Sequence, residues 1–161
     1  MTTQQVQTTD NKTSPPTTNG FILLAKIKPG QADTLRATLK ALDAAGAVAS
    51  AAFQRIGTLH FARFAIIEDA YLLFTSHFDG DAGDYLDDFY ADSAGENFDK
   101  WLRYCEGWPG PHDQQAFVDF WMSHQVQDLG RVSSYPGVTV KEIQQALRVR
   151  NNLQAVLEDF Q

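Results

Sequence analysis

Apolar side chains fall in short blocks along this chain, and the spacing inside each block predicts its element. The run Phe21-Ile22-Leu23-Leu24-Ala25-Lys26-Ile27 is β-prone and ends at Pro29-Gly30, which predicts a first strand. From Ala32 to about Ala45, Leu35, Leu39 and Leu42 recur at helical spacing with charges between them, and Gly46 closes this amphipathic helix. The small apolar stretch 45–52 fits a helical turn and a tight connection equally. Residues 59–67 and 71–78 carry the strongest β pattern, separated by the polar turn Glu68-Asp69-Ala70. A connection of about three residues makes them antiparallel neighbours. Neither strand alternates cleanly between apolar and polar, so both faces of this hairpin are expected to be covered.

After Asp79-Gly80 the period changes to that of helices. Tyr85, Leu86, Phe89 and Tyr90 share one face, Gly95 interrupts, and Phe98, Trp101, Leu102 and Cys105 resume the pattern up to Gly107-Trp108-Pro109-Gly110-Pro111. Over 113–125, Phe117, Phe120, Trp121 and His124 stand at i, i+3, i+4 and i+7 of a third helix. Residues 131–135 read as a final strand ended by Pro136-Gly137. Thr139-Val140-Lys141-Glu142 is a capping box opening a last helix, with Ile143, Ala146, Leu147, Leu153, Val156, Leu157 and Phe160 as its apolar face. The order predicts an α+β domain: a ferredoxin-like βαββαβ succession with extra helices inserted after the third strand. Helices would cover one face of such a sheet. The apolar side chains on the other face suggest a second copy there, forming a dimeric α/β barrel.

Residues 1–19 are rich in Thr, Gln, Asn and Pro with almost no apolar side chains, which predicts a flexible tail preceding a single domain over 20–161. The hydrophobic content of 43% is that of a globular chain. The net charge of −7 argues against a nucleic-acid partner and against an anionic membrane surface. There is no apolar run long enough to span a bilayer and no basic-then-apolar leader, and the single cysteine, Cys105, suits a reducing compartment. A cytoplasmic protein is expected.

High-specificity catalytic motifs are missing: there is no Gly-rich phosphate loop, no His-Glu-x-x-His and no Gly-x-Ser-x-Gly. The run Asp79-Gly80-Asp81-Ala82-Gly83-Asp84 fails as a calcium loop, because glycine falls at position 5 and Tyr90 occupies position 12. Asp81 and Asp84 are instead expected at a helix start, where unpaired backbone N–H groups favour carboxylates. His112 falls in a loop. His124 is expected either to bond a backbone carbonyl or to ligate a metal or haem. His60 and His77 are either satisfied within the hairpin or line a cavity. Cys105 is expected to be a buried, inert thiol. Arg63 demands the most explanation: a guanidinium in an apolar strand stays charged and needs a partner. That partner is an acid such as Asp79, or the anion of a bound ligand.

His60-Phe61-Ala62-Arg63-Phe64 followed by Leu73-Phe74-Thr75-Ser76-His77-Phe78-Asp79-Gly80-Asp81 resembles paired motifs in bacterial proteins of the dimeric α/β-barrel superfamily, some labelled peroxidase-like or catalase-associated. The resemblance implies a homodimer that binds a small molecule or performs peroxidase- or monooxygenase-like oxidation, with haem as a conceivable cofactor. The expected pocket lies between the open sheet face and the inserted aromatic helices. Arg63 and His60 are its catalytic candidates, Phe74, Ser76, His77 and Trp121 its substrate-binding candidates, and His124 its cofactor-binding candidate. The alternative is a non-enzymatic assembly module that buries a partner on the sheet face.

Overall fold

The computed structural model describes residues 18–46, 56–93 and 96–158. Three antiparallel strands form its sheet: β1 (Thr18–Lys26), β2 (Leu59–Ile67) and β3 (Tyr71–Asp79), in the order β1-β3-β2. The β1 strand starts at Thr18, two residues inside the expected tail; the rest of that tail and most of 45–52 lie outside the described residues. Glu68 and Asp69 both take positive φ in the hairpin turn, and Ala70 N donates to Ile67 O at 3.0 Å. That conformation matches the right-handed twist of the flanking strands.

Alternation divides the sheet into two faces. Phe21, Leu23 and Ala25 of β1 and Leu72, Phe74, Ser76 and Phe78 of β3 are buried on one face, which we call closed. Ala62, Phe64 and Ile66 of β2 join them, with Phe64 directly opposite Phe74. The helices pack here: Leu35 from α1 (Ala32–Ala44), Tyr85, Leu86 and Phe89 from α2 (Ala82–Ser93), Phe98, Trp101 and Leu102 from α3 (Glu96–Leu102), and Phe117, Phe120 and Trp121 from α4 (Gln114–Ser123). Phe74 sits at the centre, its ring 5.1–5.7 Å from those of Phe64, Trp121 and Trp101. Asp113 caps α4 by accepting from Ala116 N at 3.0 Å, and Asp81 accepts from Gly83 N at the start of α2.

The expected strand over 131–135 does not form. Beside β1 lie two shorter pieces: Leu24 N donates to His124 O, Val126 N to Ile22 O, and Glu106 N to Lys26 O. They pair with most of the strand's outer edge. Residues 131–135 instead run as a loop, because Arg131 is anchored to Thr18 O (2.8 Å), to Asn19 Oδ1 (2.9 Å) and to Asp128 (2.9 Å). The arrangement is α+β and compatible with a ferredoxin-like fold. No described helix is long and apolar enough to cross a membrane.

The last helix, α5 (Val140–Glu158), starts with the expected capping box: Glu142 N donates to Thr139 Oγ1 and Thr139 N to Glu142 Oε2. The Thr139 N–H and hydroxyl, both donating to the Glu142 carboxyl, hold it below its ordinary pKa. Its first turn is seated, with Val140 buried and its N–H donating to Asp79 Oδ2 at 2.8 Å. From residue 145 to 158 it is exposed on every side.

Candidate functional site

The other face of the sheet is open. It presents Ile22, Leu24 and Lys26 from β1, Phe61, Arg63, Ala65 and Ile67 from β2, and Tyr71, Leu73, Thr75 and His77 from β3. Gly20 completes it, and the lack of a side chain there has a use: a Cβ would come within 3.1 Å of Asp128 Oδ2, so glycine lets the 128–131 loop sit on the start of β1. Although the chain carries 20 acidic residues, none occupies these positions. The face is largely apolar, with cations on its two edge strands, Lys26 on β1 and Arg63 on β2.

A β-bulge sets the geometry at one end. Leu59 opposes Phe78 and Phe61 opposes His77, so His60 is the extra residue. The bulge turns Leu59 toward the core while leaving Phe61, 61% exposed, on the open face. His60 Nε2 lies 2.8 Å from Asp79 Oδ1, with only 8% and 12% of the two side chains exposed. Since the other oxygen of Asp79 accepts from Val140 N, both are engaged at this corner.

Arg63 therefore does not pair with Asp79. It is exposed, and among the described residues no carboxylate lies within ion-pairing distance of it. Arg63 stands directly opposite Thr75, and with Phe61 and His77 these residues line a depression of about 170 Å³. A second cleft of about 270 Å³ adjoins it, sharing Phe61 and His77 and walled by His60, Arg131, Ser133 and Tyr135. Together they form one groove at the small end of the range for small-molecule sites, roughly 300–1,000 Å³. The 131–138 loop that replaces the expected strand is its far wall.

The sequence-predicted residues divide between the two faces. Arg63, His77 and His60 belong to the groove. Phe74, Ser76 and Trp121 are buried on the closed face, and the aromatic helices pack there too, so the expected pocket between those helices and the open face does not exist. His124 ends α4, its Nδ1 lying 2.8 Å from Phe120 O and its ring against that of Phe120, and it lines neither part of the groove. This is the backbone-bonded histidine that was one of its two expected roles. The residues present do not fit a haem on the closed face: Phe74, Phe89, Phe98, Trp101 and Trp121 fill the interior in mutual ring contact.

Phe61, Thr75, Arg131, Ser133 and Tyr135 join the expected residues in the groove. Register supplies the first two once Arg63 is placed, whereas reading 131–135 as a strand concealed the others. Burial pushes the Cys105 thiol up to about 12, partly opposed by Lys28, so it stays protonated and inert as expected. Burial also raises the Tyr85 phenol well above its ordinary value, the neighbouring Ser76 hydroxyl offsetting part of the rise. Neither group serves as a base near neutral pH. No protein-family model, curated protein or solved structure matches the chain.

Proposed function

We propose that this domain binds a small molecule with an anionic group on an apolar or aromatic body, held in the groove on the open sheet face. The observation that carries the reading is Arg63, an arginine without an acidic partner among the described residues, set between Phe61, Thr75 and His77. A guanidinium in that position offers a paired-donor fork to a carboxylate or phosphate. Phe61 supplies an apolar flank, and Thr75 and His77 supply hydrogen bonds. The oxidative chemistry implied by the hairpin's resemblance would draw on the same residues, Arg63 for developing negative charge and His77 for a proton. We read the fold behind it as a ferredoxin-like βαββαβ domain whose fourth strand has shrunk to the contact at Gln125, and which assembles as a homodimer.

Titration with benzoate, followed by amide shifts in NMR spectra, tests the binding reading. Shifts are expected at Phe61, Arg63, Thr75 and His77. Arg63→Met should weaken binding at least tenfold, since a hydrogen bond to a charged group contributes about 1.5–3 kcal/mol. Shifts scattered over the surface, or an unchanged Kd in Arg63→Met, would refute it. Native mass spectrometry of freshly purified protein complements this by weighing any molecule that copurifies.

A further inference from the structure

The chain carries a second uncovered apolar surface besides the open sheet face. Along α5, Leu147, Val149, Leu153, Val156 and Leu157 are all exposed, Leu153 to 59%, and the spacing of Val149, Leu153, Val156 and Leu157 builds an apolar stripe with Leu147 at its margin. Arg150, which falls within the stripe, is turned aside to Asn151 at 3.0 Å. An isolated amphipathic helix of this length is marginal in water and draws its stability from packing its stripe. Among the described residues, nothing in its own chain buries it beyond the first turn.

We infer that α5 of one copy lies across the open sheet face of a second copy and roofs the groove there, an inference that deepens the ligand-binding reading above. Dimensions agree. The exposed length of α5, residues 145–158, spans ~21 Å at 1.5 Å per residue and fits within the strands. The nine-residue strands run ~30 Å, and three strands ~4.8 Å apart make a strip about as wide as one helix. Exchange between two copies covers both surfaces twice in a closed, self-complementary contact. It uses about 20 residues from each copy, the number a standard stable interface takes from each side.

Stacking the two sheets on each other instead would bring Lys26 and Arg63 against a face that carries no carboxylate at any of its strand positions, and would leave the helix stripe in water. Helix exchange avoids the second of these costs, because it covers the stripe. It also completes the site, because among the described residues the groove in one copy has a floor and a loop wall but no roof.

The test is light scattering on the full chain, combined with cross-linking. Wild type is expected as a dimer, and Leu147→Glu/Leu153→Glu as a folded monomer with benzoate affinity at least about tenfold lower, because the roof is gone. Mixing Ala65→Cys chains with Leu153→Cys chains under oxidation should trap a mixed disulfide dimer, Cys105 being buried and out of reach. A monomeric wild type overturns the inference. So does a dimer that survives the double charge substitution, or Ala65→Cys chains that cross-link only to each other. If the mixed disulfide forms but benzoate shifts nothing in wild type, the exchange stands and the ligand reading falls.

Discussion

Phe74 and Thr75 are neighbours in β3, yet they belong to different surfaces. Phe74 is fully buried beneath Trp101 and Trp121, whereas Thr75 stands half-exposed between Ile22 and Arg63 on the flanking strands. The closed face is a dense set of aromatic rings meeting edge to face and stacked. The open face has apolar side chains in similar positions but, among the described residues, no layer above them, and its β2 edge carries an arginine. Packed apolar area accounts for the stability of the first. The second leaves Phe61, Ile67 and Tyr71 exposed, which a lone domain has no stability reason to keep. One sheet thus separates the residues that hold the fold from those available for recognition.

That separation can be broken from the closed side with the largest effect. Trp121→Ala should lower the unfolding free energy by about 3–5 kcal/mol, the cost of emptying a large core site, as measured by urea denaturation. If the loss were under ~1 kcal/mol, the closed face would not be the stabilising layer.

A smaller effect is expected at the polar rim of the closed side. Burial disfavours the charged form of Asp99, but hydrogen bonds from Arg103 and Trp108 outweigh it and hold the carboxyl below its usual range. A carboxyl with a lowered folded pKa contributes its full stability above the unfolded value, about 3.9, and loses it as pH falls through the folded pKa. Trp108→Phe keeps a ring against Phe117 and Phe120 but removes one donor to Asp99. The variant should be less stable than wild type by about 1 kcal/mol at pH 7, and the gap should narrow in acid-unfolding curves below about pH 4. A gap that stays constant with pH would mean that packing alone sets it.

The smallest effect on stability belongs to the open face. Arg63→Met should leave the unfolding free energy of the domain within about 0.5 kcal/mol of wild type while benzoate binding collapses. A loss of several kcal/mol would show that Arg63 serves the fold, and the contrast between the faces would vanish.

The strands and helices of this fold were legible from local pattern; their disposition was less so. Glu68-Asp69-Ala70 announced the hairpin, and Thr139 with Glu142 announced the start of α5, because turns and caps are satisfied by neighbours in sequence. The fourth strand was misread for the opposite reason. Val132 and Tyr135 have β-forming side chains, but Arg131 is pulled onto Thr18 and Asn19 by contacts more than 100 residues away in sequence. Propensity yielded to tertiary anchoring. Within the site, alternation around Arg63 placed Phe61 and Ala65 beside it. It could not show that the aromatic helices choose the side of Phe74 and Ser76, nor that His60 is a bulge.

Asp79 has a consequence for how this molecule comes apart. Its N–H is bonded to Thr58 O, one carboxylate oxygen to the His60 ring, and the other to the first turn of α5, 61 residues further on. One residue therefore closes a long loop without a covalent link. When its hold on Val140 lapses, α5 can swing out while Arg131 still holds the groove wall on β1 and the ring-packed layer stays intact. The domain then has two opening free energies rather than one, with the lower one belonging to the segment that reaches outward.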